Sequence, residues 1–369
     1  MTVRSQATNQ RSGGSERKRA LVRGMTSSTP SYVVEFDART VYDFLVSLAV
    51  EAPEDQDLLP QDRQWLEDAR ASLSPERRRD LDECFGESPK AFCYATGALA
   101  VVTPTARTAR EFVGSLATAD TRSIVREMLG EVRRDPVAAA QLERILDGAD
   151  EEIAEFVKRG EEYHAEAIAE FLAAPVAWID RIRGLLGEWV VRFEMVEERV
   201  SRIIERDLEL RASDRRTLAP PELIERTTGG VRWLGEAGVT RVVMSPSYFA
   251  RPFNYLYAGL DWRLFAYPAA DEALDRGDAM SPPPSLIRLH RALGDESRLR
   301  ILRLLRDRDM YLTELAQQLE VSKPTMKHHL TQLRVAGLVT VTDQGAQTYY
   351  SLRRDRLSEA GDDLMRFLA

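Results

Sequence analysis

Lys323, Thr325, Lys327 and His328 set two ammonium groups, a hydroxyl and an imidazole within six residues. Side chains of these kinds pair with phosphate oxygens and with the edges of bases. Turned at about 100° per residue, Met326, Leu330, Leu333 and Gly337 form one stripe. His328 then points almost directly away from it, with Pro324, Thr331 and Gln332 beside it and Thr325 and Lys327 on the flanks. An ordinary solvated helix face would show the same pattern, so the neighbouring elements decide between the two readings.

Those elements fall in a recognisable order. Tyr311–Leu319 is a short amphipathic helix, and Ser322 is placed to cap a second helix that closes before Gly337. Val339–Thr342 and Thr348–Leu352 are β-prone runs around Asp343-Gln344-Gly345-Ala346-Gln347, which reads as a hairpin. Leu286–Leu293 and Leu299–Leu305 supply two helices ahead of these, with Asp295 as an N-cap between them. Helix, helix, hairpin is the winged form of the helix-turn-helix, whose second helix lies in the major groove of double-stranded DNA. The candidate DNA contacts are Ser322, Lys323, Thr325, Lys327, His328, Gln332 and, in the hairpin, Gln347.

The stretch resembles the ArsR-like winged-helix transcriptional regulators. The matching blocks are Ala292-Leu293-Gly294-Asp295-Glu296-Ser297-Arg298-Leu299-Arg300-Ile301-Leu302, Val321-Ser322-Lys323-Pro324-Thr325, His329-Leu330 and Leu333-Arg334-Val335-Ala336-Gly337-Leu338-Val339. The resemblance covers the last 85 residues and implies a homodimeric repressor that reads a near-palindromic operator through the helix at 322–336. Two positions depart from the family pattern. Glu320 stands where the family's turn often has glycine, and Ala346 where its wing often has a basic residue. The family's thiol-rich metal site would fall on Tyr311 and Thr313, and its histidine site in the C-terminal helix, where no His or Cys follows His329. No metal, cofactor or catalytic residue is therefore expected in this domain.

Charge is distributed in keeping with a DNA partner. The chain carries 51 basic and 59 acidic side chains, yet residues 286–369 hold 14 against 11. A net surplus of +3 there, beside −11 in residues 1–285, gives a local positive face on an acidic molecule. No apolar run approaches the ~20 residues of a membrane span. The first 24 residues have six basic side chains and no signal-peptide segment, and read as a disordered tail before Met25. A reducing, cytoplasmic setting follows from only two cysteines, Cys84 and Cys93.

The long N-terminal region carries weaker signals. Ile153, Phe156, Val157, Gly160, His164, Ala167, Ile168 and Phe171 form one helical stripe. After Pro175 a second runs through Trp178, Ile182, Leu185, Trp189, Phe193, Val196, Val200 and Ile203, predicting one long helix to about Arg211. Glu161 and His164 have the Glu-x-x-His spacing of carboxylate-bridged metal bundles, but such sites need two copies and one is present. Nor does His164-Ala165-Glu166 have the paired cysteines of a zinc deaminase. Tyr32–Phe36, Thr240–Met244 and Asp261–Tyr267 read as strands of a small sheet, with a loop starting at Pro246.

Eight of the chain's 28 aromatic residues fall between Tyr248 and Tyr267. With Trp233 they suit an effector pocket, for which Trp233, Tyr248, Phe253, Asn254 and Tyr255 are the candidates; a hydrophobic core or dimer interface would look the same. The fold class is mainly α with small β elements. The domains are a tail at 1–24, a mostly helical sensor or dimerisation region at 25–270, a proline-rich linker at 271–285 and the winged helix at 286–369. A non-enzymatic DNA-binding regulator is the reading; an enzyme or docking domain fused to a DNA-binding domain is the alternative.

Overall fold

The computed structural model describes residues 32–50, 56–86, 93–159, 165–274, 280–344 and 347–369. The 1–24 tail, the pair Glu161 and His164, and the turn residues 345 and 346 lie outside them. In chain order, β1 (Val33–Phe36) precedes α1 (Val41–Ala49), α2 (Pro60–Ala71), α3 (Pro75–Phe85), α4 (Cys93–Val102), α5 (Ala109–Thr118) and α6 (Thr121–Met128). Next come α7 (Pro136–Leu146), α8 (Ile153–Phe156), α9 (Ala165–Ala173), α10 (Pro175–Leu210), α11 (Ala212–Thr217) and α12 (Pro220–Thr227). Strands β2 (Val231–Arg232), β3 (Arg241–Ser247), β4 (Tyr255–Ala258) and β5 (Trp262–Pro268) follow. Last are α13 (Pro284–Leu293), α14 (Glu296–Leu305), β6 (Met310–Tyr311), α15 (Leu312–Gln318), α16 (Lys323–Val335), β7 (Val339–Gln344), β8 (Gln347–Leu352) and α17 (Arg354–Leu368).

The chain is thus mainly helical with two small sheets, and no described helix is long and apolar enough to cross a membrane. It divides into two compact units: Tyr32–Leu218 with Ala237–Pro284, and Ala219–Glu236 with Ser285–Ala369. Prolines begin many of the helices. Pro60, Pro75, Pro136, Pro175, Pro220 and Pro284 each open one, because the first turn needs no donor from its N–H and the ring presets φ.

In the larger unit, β1, β3 and β5 run parallel and β4 closes the sheet antiparallel to β5, in the order β1-β3-β5-β4. The three expected strands do form one sheet, and β4 joins them. The loop expected at Pro246 does not begin there: β3 continues through Pro246 to Ser247, opposite Pro268. β1 covers β3 only as far as Met244, so beyond it β3 is an edge on that side, where a missing N–H is tolerated.

Helix α10 buries Trp178, Ile182, Leu185, Trp189, Phe193, Val196, Val200 and Ile203, the whole expected stripe. The stripe from Ile153 to Phe171 is broken instead. α8 spans one turn and passes into a 3-10 segment at Val157–Arg159, residues 160–164 are outside the described set, and α9 resumes at Ala165. Buried carboxylates pin the sheet to the helices. Asp43 accepts from Ser247 Oγ at 2.5 Å, Tyr248 N at 2.8 Å and Phe249 N at 2.9 Å, and full burial pushes its carboxyl up to about 6 against those three donors. Asp207 likewise accepts from Tyr267 Oη and Ala270 N, each at 2.8 Å.

The stretch expected as a linker begins inside this unit, where Asp271–Ala273 is a 3-10 turn and buried Asp271 pairs with buried Arg251. The smaller unit has its own core, built on Leu289, Ile301, Leu302, Leu305, Leu315, Met326, Leu330, Leu333, Leu338 and Val339. Its sheet has the order β2-β7-β8-β6, with β2 parallel to β7 and the other pairs antiparallel.

Candidate nucleic-acid interface

Helix α14 starts on Asp295, whose Oδ1 accepts from Arg298 N at 2.9 Å. After β6, α15 runs to Gln318, and a four-residue turn, 319–322, leads into α16. Val321 N returns to Ala316 O at 3.1 Å, and Glu320 sits at φ 55 between them. The departure noted at this position therefore carries strain, since a side chain is held in the left-handed region that glycine adopts freely.

Ser322 caps α16, its Oγ accepting from Thr325 N at 3.2 Å and lying 2.8 Å from Thr325 Oγ1. The cap satisfies one of the amides left without a partner at the helix start and stabilises it by about 1 kcal/mol. Met326, Leu330 and Leu333 are buried at 1% exposure or less, the inner stripe expected from the period. Ser322, Lys323, Pro324, Thr325, Lys327 and His328 are all exposed, so the first turn and a half of α16 carries its polar groups outward. Gln332 is half-buried farther along the helix.

His329 is also half-buried, and its Nδ1 lies 3.9 Å from Asp295 Oδ1. The hairpin expected as the wing is β7–β8, paired antiparallel from Val339↔Leu352 to Gln344↔Gln347. Gln347 thus sits at the tip end of β8; its side chain is outside the described set.

The aromatic candidates do not share one environment. Tyr248 is fully buried; its hydroxyl donates to Asp62 Oδ2 at 2.6 Å and accepts from Leu59 N at 2.8 Å. Phe249, Tyr257, Trp262, Phe265 and Tyr267 are buried with it. Phe253, Asn254 and Tyr255 keep some exposure at the start of β4. Trp233 belongs to the other unit, where its Nε1 donates to Glu236 Oε1 at 3.2 Å. Cys84 is buried, which pushes its thiol up to about 12 and leaves it un-ionised near neutral pH.

One part of this unit was not expected from the sequence. Strand β2 and helix α12 join it from far upstream, through Val231↔Val341 and Arg232↔Thr342. Only Gly229-Gly230, both at positive φ, hinted at a special turn there.

The comparisons with known proteins fall on this unit. The model for bacterial regulatory proteins of the arsR family matches residues 295–341. The HTH-type transcriptional regulator CmtR of Mycobacterium tuberculosis is 39% identical over 82 residues, 22% of this chain and 70% of CmtR. The transcriptional repressor SdpR of Bacillus subtilis is 32% identical over 78 residues, covering 21% of this chain and 87% of SdpR. The transcriptional activator HlyU of Vibrio cholerae is 36% identical over 64 residues, 17% of this chain and 59% of HlyU. With the capped helix and its buried stripe inside the matched segment, the chain belongs to the arsR family of bacterial regulatory proteins.

Proposed function

We propose that this transcriptional regulator binds a near-palindromic duplex as a homodimer, with α16 of each subunit in the major groove. The observation that carries the reading is the two-sided character of α16. Met326, Leu330 and Leu333 are locked into the core, while Lys323, Thr325, Lys327 and His328 face solvent from its N-terminal half. Side chains near the start of a recognition helix are the ones that reach base edges. Lys323 and Lys327 are assigned to phosphates and His328 to a base edge, with Thr325 and Gln332 beside them. Ser322 contributes chiefly as the cap, and Gln347 as a contact from the wing.

A surface on α17 supports the dimer. Leu364, Met365 and Leu368 are 36%, 65% and 66% exposed, and a Cβ added at Gly361 on the same helix would meet open space. Apolar residues at this spacing on a terminal helix are an unpaired face that a second copy would bury. Pairing two recognition helices doubles the base pairs read.

The helical unit, far larger than a dimer contact requires, is assigned to sensing. Phe253, Asn254 and Tyr255 are the effector candidates of this unit that keep some exposure, Tyr248 being engaged in the core. Repression is the proposed mode, in line with SdpR; HlyU, an activator by name, makes the sign a matter for a reporter assay. Selection from a random duplex pool tests the binding reading. An enriched site with two half-sites spaced by a helical turn supports it, and failure to enrich any sequence contradicts it.

A further inference from the structure

Residues 219–236 lie outside the matched segment 295–341, yet they complete the winged-helix sheet. Among the described residues, the chain leaves the helical unit at Ala219, returns at Ala237 and leaves again at Ser285. The segment is therefore tied at both ends to the unit assigned to sensing, while its middle is a strand of the unit that carries α16.

Its attachment is built from both backbone and side chains. Val341 N donates to Gly230 O at 2.7 Å, and Arg353 Nη1 donates to Gly229 O at 2.9 Å. Thr340 Oγ1 donates to Glu225 Oε1 at 3.0 Å, and Arg232 Nε pairs with Glu225 Oε2 at 2.8 Å. A Cβ on Gly230 would sit 2.8 Å from Val339 O, at a φ of +124° that a larger residue rarely adopts. Only glycine lets the two backbones approach this closely.

The place of attachment matters as much as its chemistry. α16 ends at Val335, Ala336 caps it, Gly337 turns at φ 72, and the segment pairs with Val341 and Thr342 and holds the Thr340 hydroxyl through Glu225. It thus holds the junction between the recognition helix and the wing. Yet β2 is two residues long, and so short a strand adds few hydrogen bonds, each of small net value. A ligand on the other unit shifts such a strand only through a different affinity for its attached and released states.

We propose that Ala219–Glu236 is a coupling strap that positions the recognition helix. Attached, it fixes the α16–wing junction in the arrangement that reads DNA; released, it lowers sequence-specific affinity. Glu225 and Gly230 are positioning residues that need no contact with DNA. The proposal rests on α16 being the DNA-reading helix, and wild-type enrichment of a sequence from a random duplex pool checks that separately.

The test uses the full chain, the duplex so enriched and a scrambled duplex of equal length. Hydrogen exchange at the Val341 amide reports the strap directly. In the double variant Glu225→Ala, Gly230→Val that amide should exchange faster, and affinity for the enriched duplex should fall about tenfold. Affinity for the scrambled duplex should stay within about twofold, because no phosphate contact is lost. Glu225→Gln alone, which keeps an acceptor for Thr340, should retain most of the specific affinity. Thr340→Val, which removes that donor and leaves the backbone intact, should give an intermediate loss should the double variant fail to fold. Slow Val341 exchange in the variants, fast exchange with unchanged specific affinity, or an equal loss on both duplexes would each overturn the proposal.

Discussion

Ser322 and Thr325 share one hydrogen-bonded cap: Ser322 Oγ accepts the Thr325 amide at 3.2 Å and meets its hydroxyl at 2.8 Å. Both residues are exposed, so the group that starts α16 also lies on its outward face. Stability and DNA affinity can be separated here. Ser322→Ala should cost about 1 kcal/mol of stability, and Ser322→Asp should restore it because aspartate caps as well as serine. The aspartate variant should nevertheless bind DNA worse than the alanine variant, since it sets a negative charge before the phosphates. Denaturant melts and duplex titrations on the three proteins check both halves.

Lys323 and His328 differ in kind. Lys323→Ala should weaken binding to all sequences alike and shallow the slope of log affinity against log salt by roughly 0.9 for one lost phosphate contact. His328→Ala should relax preference at one base position at a cost of about 1–3 kcal/mol. Wild-type salt slope in the first and unchanged base preference in the second would remove these two residues from the outward contact face.

Glu320 holds φ 55 in the turn between α15 and α16. Glu320→Gly should relieve the left-handed conformation and raise stability by up to about 1 kcal/mol, while Glu320→Val, branched at Cβ, should lower it. Thermal or denaturant unfolding of the pair decides; equal stability of both variants would mean that the turn adjusts at no cost.

Leu364 and Leu368 are exposed on α17. Leu364→Glu with Leu368→Glu should turn a dimer into a folded monomer and reduce affinity for a two-half-site duplex far more than for a single half-site. Sedimentation of the variant, alongside its far-UV spectrum, is the check. A dimer that survives both charges would place the subunit contact elsewhere.

Tyr248 and Tyr255 separate core from pocket. Tyr248→Phe removes the donor to buried Asp62 and the acceptor for Leu59 N, and should cost about 1–3 kcal/mol. Tyr255→Ala, half-exposed, should cost less than truncation of a buried ring and, on the sensing reading, abolish response to effector. A comparable stability loss in Tyr255→Ala, with no selective loss of response, would take β4 out of the sensing account.

How much of this was legible depends on the range of each interaction. Met326, Leu330 and Leu333 announce their packed side because helical period is local, and Asp295 and Ser322 announce caps for the same reason. The long α10 was equally plain from its stripe. By contrast, β2 has two residues and no period of its own, and it pairs with residues 110 positions downstream, Val231 with Val341. Pro246 suggested a loop because a sequence does not tell which side of a strand lacks a neighbour. The aromatics from Tyr248 to Tyr267 looked like a group, but Tyr248 and Tyr267 are drawn into the core by the buried acceptors Asp62 and Asp207, while Phe253 and Tyr255 keep some exposure. Trp233 was grouped with them by proximity in the chain and lies in the other unit.

Photo-crosslinking of the full chain to the duplex it enriches, followed by mapping of the joined peptides, asks whether α16 meets the DNA. Crosslinks are expected within the peptide 322–332, lost in strong salt, with little crosslinking to residues 32–218. Crosslinks confined to the helical unit, with 322–332 unlabelled, would contradict that contact.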